Sequence, residues 1–155
     1  MIAVLAIETA DPVRLAAFDP QGEATVLISS GRAATLKLTN QAPAAAPECP
    51  VMIDRAPWLD FATATALADP QFDLLTPFKG PFRTAEIANR SAAAAALRLA
   101  TMAGMLPAFF VLNSADAGLI LSPEDIDENK DAQRLSIAAR AHLPIAGAET
   151  AELVA

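Results

Sequence analysis

Residues 91–123, SAAAAALRLATMAGMLPAFFVLNSADAGLILSP, constrain the fold more than any other stretch. Ala93, Ala96, Ala100 and Ala103 recur at helical spacing, which predicts a helix over 91–105 with one stripe free of side-chain bulk. Leu97, Leu99, Met102 and Met105 supply larger apolar contacts beside that stripe. A helix of this kind can approach a sheet or another helix closely. The turn at Leu106-Pro107 then leads into an apolar run, 108–112, that reads as a buried strand. A polar turn, NSADAG, and a second strand over 119–121 are expected to follow.

The remaining chain alternates short apolar runs with helical segments. Residues 2–7 read as a buried strand, and Asp11-Pro12 as an N-cap with proline at the first helical position. A strand is predicted over 24–28, and Ser29 or Ser30 is placed to cap a helix that runs to about 39–40. Three prolines within 41–50 make that segment a surface loop. A strand over 51–53 and a helix from about 58 to 67, ended by Asp69-Pro70, come next. Residues 72–82, FDLLTPFKGPF, form an irregular but strongly apolar loop that must pack down onto the domain. After residue 123 the sequence predicts an acidic capped segment, a helix over 132–142, a strand over 143–145 and a terminal helix over 149–154. The fold class expected is α/β (α+β), a mixed twisted sheet flanked by helices, in a single domain spanning 1–155.

A formal charge of −7 argues against a nucleic-acid or anionic-membrane surface and fits a soluble cytoplasmic protein. The weakly polar run 92–106 carries Arg98 and is too short to span a bilayer. One cysteine, Cys49, and one histidine, His142, exclude a disulfide framework and a Cys/His zinc cluster within the chain. Both ends run into apolar segments, so the chain reads as a piece of something longer.

Candidate chemistry is sparse. Lys79 and Arg83 flank Gly80-Pro81-Phe82 and are candidate phosphate-binding cations, although Pro81 removes a backbone donor from any phosphate cradle; the other reading is a packed turn with solvated cations. Asp125, Asp127, Glu128 and Asp131 lack the spacing of a calcium loop and read as a solvated helix start. His142 reads as a cation at a helix C-terminus, since no nucleophile motif accompanies it. Asp54-Arg55 reads as a local or loop-tying pair. No catalytic residue and no metal ligand is assigned.

LRLATMAGMLPAFFVL, followed by DAGLILSPEDI and RLSIAARAHLPIAG, resembles the C-terminal half of dihydroxybutanone phosphate synthase, and ADPQFDLLTPFKGPFR resembles the segment before that family's long helix. The likeness covers about 54–155 and touches the first fifty residues only loosely. It implies that the histidine-threonine pair at the start of the family's helix corresponds to Ala92 and Ala93. The glutamate after its strand would correspond to Asn113 or a neighbour, and its early acidic metal motif has no counterpart in 1–40. The synthase reaction needs a carboxylate-bound magnesium and a positioned acid/base. With those side chains replaced, the resemblance implies an inactive synthase-like domain.

The pattern is closer still to the shortened, degenerate synthase-like domain that precedes the cyclohydrolase part of some bacterial GTP cyclohydrolase II proteins. It implies an accessory or structural domain in riboflavin biosynthesis, with a downstream GTP cyclohydrolase domain as partner and a homo-oligomeric assembly. No cofactor is expected in this domain; zinc and the hydrolase activity would belong to the downstream part. Packing would use the alanine-rich helix or the 72–82 loop. The alternative is a free-standing sugar-phosphate-binding protein or a divergent dihydroxybutanone phosphate synthase, with Lys79 and Arg83 on the phosphate.

Overall fold

A computed structural model of the chain describes residues 1–46, 48–75, 80–113, 119–132, 140–142 and 152–154. Among these residues, five strands build one sheet: β1 (Ala3–Ala6), β2 (Thr25–Ile28), β3 (Val51–Ile53), β4 (Thr84–Ala85) and β5 (Ala108–Leu112). Their order is β1-β5-β2-β3-β4. The sheet is antiparallel in every pairing, where the sequence predicts a mixed one. The reason lies in β5. Although last in sequence among the five, it enters between β1 and β2 and runs against both, with Phe110 opposite Leu5 on one side and Val26 on the other.

The two-residue period of the strands sorts their side chains onto two faces. Val26 and Ile28, Val51 and Ile53, and Ala108 and Phe110 join one buried cluster. Leu27, Met52, Phe109 and Val111 join the other. Helices α1 (Pro12–Phe18), α2 (Ser30–Thr35) and α3 (Phe61–Ala68) cover the first face through Leu15, Ala33, Ala64 and Leu67. Helix α4 (Arg90–Met102) covers the second through Ala93, Ala96 and Ala100, all buried. Helix α5 (Pro123–Ala132) lies against α4, and Arg98 pairs with Asp127 at 3.1 Å across the two. The alanine stripe is therefore the face that α4 turns to the sheet. Its fourth predicted member, Ala103, lies past the helix end and is exposed.

Each α-helix starts on a side-chain oxygen that accepts the backbone N–H three residues on. Asp11 accepts from Arg14, Ser29 from Arg32, Asp60 from Thr63, Asn89 from Ala92, and Ser122 from Asp125. These oxygens satisfy donors that a helix start would otherwise leave unpaired. At Ser122 the bond is returned, since Asp125 Oδ2 accepts the Ser122 N–H at 2.8 Å. The acidic run 124–128 is thus the first part of α5, as a solvated helix start requires. Hydrogen bonds from the Ser122 backbone and hydroxyl hold the Asp125 carboxyl below its ordinary value.

Helix α4 stops at Gly104, whose φ of +68° suits glycine and turns the Met105 N–H back onto Ala100 O at 2.9 Å. Helix α2 ends at Thr35 rather than near residue 40, because Lys37 adopts φ 58° and Leu38 N–H returns to Ala33 O. Helix α3 begins at Phe61 rather than Trp58, because Asp60 supplies the cap.

Arg32 is a buried arginine that ties α2 to the end of α3. Its Nε donates to Leu67 O at 2.6 Å, and Nη1 and Nη2 grip Asp73 at 2.6 and 2.7 Å. Nη2 also reaches Ala66 O at 3.3 Å. A planar guanidinium matches a carboxylate at two points and sits where the carbonyls of α3 lack intrahelical donors. The proline-rich loop contains a 3-10 turn at Ala42–Ala44 and is held by Gln41, which donates to Phe82 O and accepts from Thr84 N.

Three expectations fail at the C-terminal side. Residues 119–121 are not a strand, and their apolar side chains lie exposed ahead of the Ser122 cap. Residues 140–142 are not helical: β6 (Arg140–His142) pairs antiparallel with β7 (Glu152–Val154). His142 therefore lies in a strand where the end of a helix is predicted, and 152–154 are extended where a terminal helix is predicted. A three-residue segment has too little length for its period to reveal its type, and a strand partner ten residues away outweighs it. The predicted strand over 143–145 lies outside the described residues. Among the described residues no helix is long and apolar enough to cross a membrane.

Candidate functional site

Two concave regions meet at the start of β2, where Glu23 and Thr25 line both. The first is a pocket of about 220 Å³ between the start of α4 and the end of β5. Asn89 and Ala93 come from the helix start, Val111 and Asn113 from the strand, and Glu23 and Glu86 bring two carboxylates. The α4–turn–β5 hairpin thus carries Ala93 and Asn113, two of the three positions the synthase resemblance singles out, to one pocket. The third, Ala92, lines a separate apolar pocket of about 150 Å³ beneath Leu99 and residues 119–121.

Neither Ala93 nor Asn113 can donate or accept a proton as an acid or base does. The two glutamates are residues that the sequence alone does not single out, since 63 residues separate them. Among the described residues, no three histidine, cysteine, aspartate or glutamate side chains converge to hold a metal ion.

The second region is an open cleft of about 920 Å³ between Gly22–Thr25, the loop after β3 and the residues before β4. Asp54, Arg55, Trp58, Phe82 and Arg83 line it. Arg83 is exposed and belongs to this cleft, away from the α4 pocket. Lys79, its predicted companion on a phosphate, lies outside the described residues. Asp54 donates its N–H to Arg83 O at 2.9 Å, which fastens the two rims together.

Asp54 and Arg55 do not pair with each other. Arg55 Nη1 lies 3.8 Å from Asp19 Oδ2, so the ion pair ties the cleft to the end of α1. Asp19 is nearly fully buried, and its two oxygens accept the N–H groups of Glu23 and Ala24 at 2.8 and 2.9 Å. Trp58 rests on Phe82 with ring centroids 5.3 Å apart. The sequence names Arg83 and the 54–55 pair but gives no sign of Asp19.

By architecture this is a three-layer α/β domain: helices α1–α3, an antiparallel sheet, and α4 with α5. No family model, no curated protein and no solved structure matches the chain.

Proposed function

We propose that this chain is a non-catalytic, synthase-like accessory domain of a GTP cyclohydrolase II in riboflavin biosynthesis. The observation that carries the reading is the pocket between α4 and β5. It brings together Ala93 and Asn113, where the resembling synthases hold reactive side chains. The helix–Leu-Pro-Ala–strand frame is kept and the groups that would move protons are replaced. A structural role follows: the domain packs against a downstream cyclohydrolase part, which would carry the zinc, and helps set the geometry of a cytoplasmic homo-oligomer. The apolar side chains of Leu99 and residues 119–121, exposed beside α4, suit such packing.

A second reading, a sugar-phosphate binder or divergent dihydroxybutanone phosphate synthase, draws on Glu23 and Glu86 in the same pocket. One assay separates the two. The purified chain is incubated with ribulose 5-phosphate and magnesium, and product is measured against a no-enzyme control. No product above the control is expected. Turnover that is lost in Glu23→Gln or Glu86→Gln establishes the second reading and ends the first.

A further inference from the structure

We propose that the cleft after β3 binds a small ligand that joins an oxyanion to a flat ring, with the oxyanion on Arg55 and the ring on Trp58. Arg55 supplies the first reason. Its side chain is mostly buried, at 23% exposure, yet it donates no hydrogen bond among the described residues, and its Nη1 is enclosed without a partner. Nη1 itself is sealed from solvent on the Asp19 side; the part of the Arg55 side chain that stays exposed lines the cleft, and a guanidinium with no acceptor among the described residues can offer donors there. Asp19 does not fill that need. At 3.8 Å it balances the charge of Arg55, while its own oxygens are taken by Glu23 and Ala24. The guanidinium is held by charge and makes no hydrogen bond among the described residues.

Trp58 supplies the second reason. It lines the same cleft, is 43% exposed and is braced by Phe82. An indole held in place with part of its surface open is suited to a flat ring. Arg83 lines the same cleft, and its side chain has no partner among the described residues. Glu23 and Asp54 also face the cleft, so its two guanidiniums meet two carboxylates. That balance disfavours a polyanion such as nucleic acid and favours a carboxylate or a phosphate monoester, bound by local donor geometry. The inference does not depend on the domain's parentage: a ligand here is compatible with an accessory domain that senses a small molecule, and its absence leaves the accessory role intact.

Trp58 is the sole tryptophan and there is no tyrosine, so intrinsic fluorescence reports on this cleft alone. The full chain is titrated with phenyl phosphate, benzoate, phenol and inorganic phosphate. Phenyl phosphate, benzoate or both should change the emission saturably, with a Kd of about 1 mM or tighter. Response to one and not the other assigns the oxyanion. Phenol and inorganic phosphate, each half of the ligand, should bind at least about tenfold more weakly. Arg55→Gln should weaken binding about tenfold or more, and Arg83→Gln about two- to fivefold. If Arg55→Gln does not fold because Asp19 loses its counter-charge, Arg55→Lys keeps the charge, loses the planar donors and should show the same loss. The proposal is overturned if neither aromatic oxyanion gives a saturable change by about 10 mM. Phenol binding as tightly as phenyl phosphate, or undiminished binding in the Arg55 variants, overturns it equally.

Discussion

The two faces of the sheet are packed by opposite means. On the face of α1–α3, Ile7, Ile28, Ile53, Leu59, Leu67 and Phe110 are all but inaccessible to solvent, and large side chains interlock. On the face of α4, the helix contributes Ala93, Ala96 and Ala100, and the bulk comes from the sheet through Leu27, Phe109 and Val111. The first face is specified by shape. The second is specified by small helix side chains, against which the larger residues of the sheet pack. Both pockets beside α4 open along its flanks, where alanines leave room that branched side chains would fill.

Truncation on the first face should have the largest effect. Phe110→Ala removes a ring that is 0% exposed and stacked over Phe61 with centroids 6.3 Å apart, and should destabilise the fold by about 3–5 kcal/mol in denaturant unfolding. A loss below about 1 kcal/mol would mean the face collapses readily and is not shape-specified. The second face should respond in the opposite sense, to enlargement. Ala100→Leu places a branched side chain where the residue is fully buried against the sheet, and should cost about 1–3 kcal/mol. If it stabilises instead, α4 is loosely seated and the contrast between the faces fails.

The smallest effect concerns the polar end of α3. Hydrogen bonds from Thr63, through its hydroxyl and its backbone N–H, hold the Asp60 carboxyl below its ordinary value. A depressed carboxyl contributes stability that is present above the unfolded-state value and is lost as pH falls through the lowered folded value. Asp60→Asn keeps a competent cap and removes the charge. The melting temperature of the wild type should exceed that of Asp60→Asn at neutral pH, and the gap should close as pH falls below about 4. A gap that persists in acid would assign the difference to something other than ionisation.

Much of this architecture is legible in the sequence because its signals are local. Asp11-Pro12, Ser29, the 51–53 run and the alanine stripe each specify their element within a few residues, and each element forms. The pairings that decide topology are not local. Nothing in residues 108–112 announces that they slot between β1 and β2, and the two-residue β4 exists because β3 offers it an edge. The apolar residues 119–121 have strand composition but no strand partner among the described residues, so the cap at Ser122 prevails. Legibility of the candidate sites divides the same way. Arg83 stands out as a cation beside a glycine-proline turn. The buried Arg32–Asp73 clamp and the Asp19–Arg55 pair join residues tens of positions apart, and only the folded chain shows them.

The place of β5 also bears on how the chain is made. On the ribosome, β2 and β3 can pair within one short stretch of nascent chain, but β1 has no partner until residue 112 is available to lie opposite Ala3. At about 5–20 residues per second, the first strand waits roughly 5–20 s. Throughout that interval Leu5 and Ile7 remain apolar side chains without their core, available to any apolar surface nearby. The first strand of the sheet is therefore secured only with its last, and its exposure to misassembly is set by the position of a strand more than a hundred residues downstream.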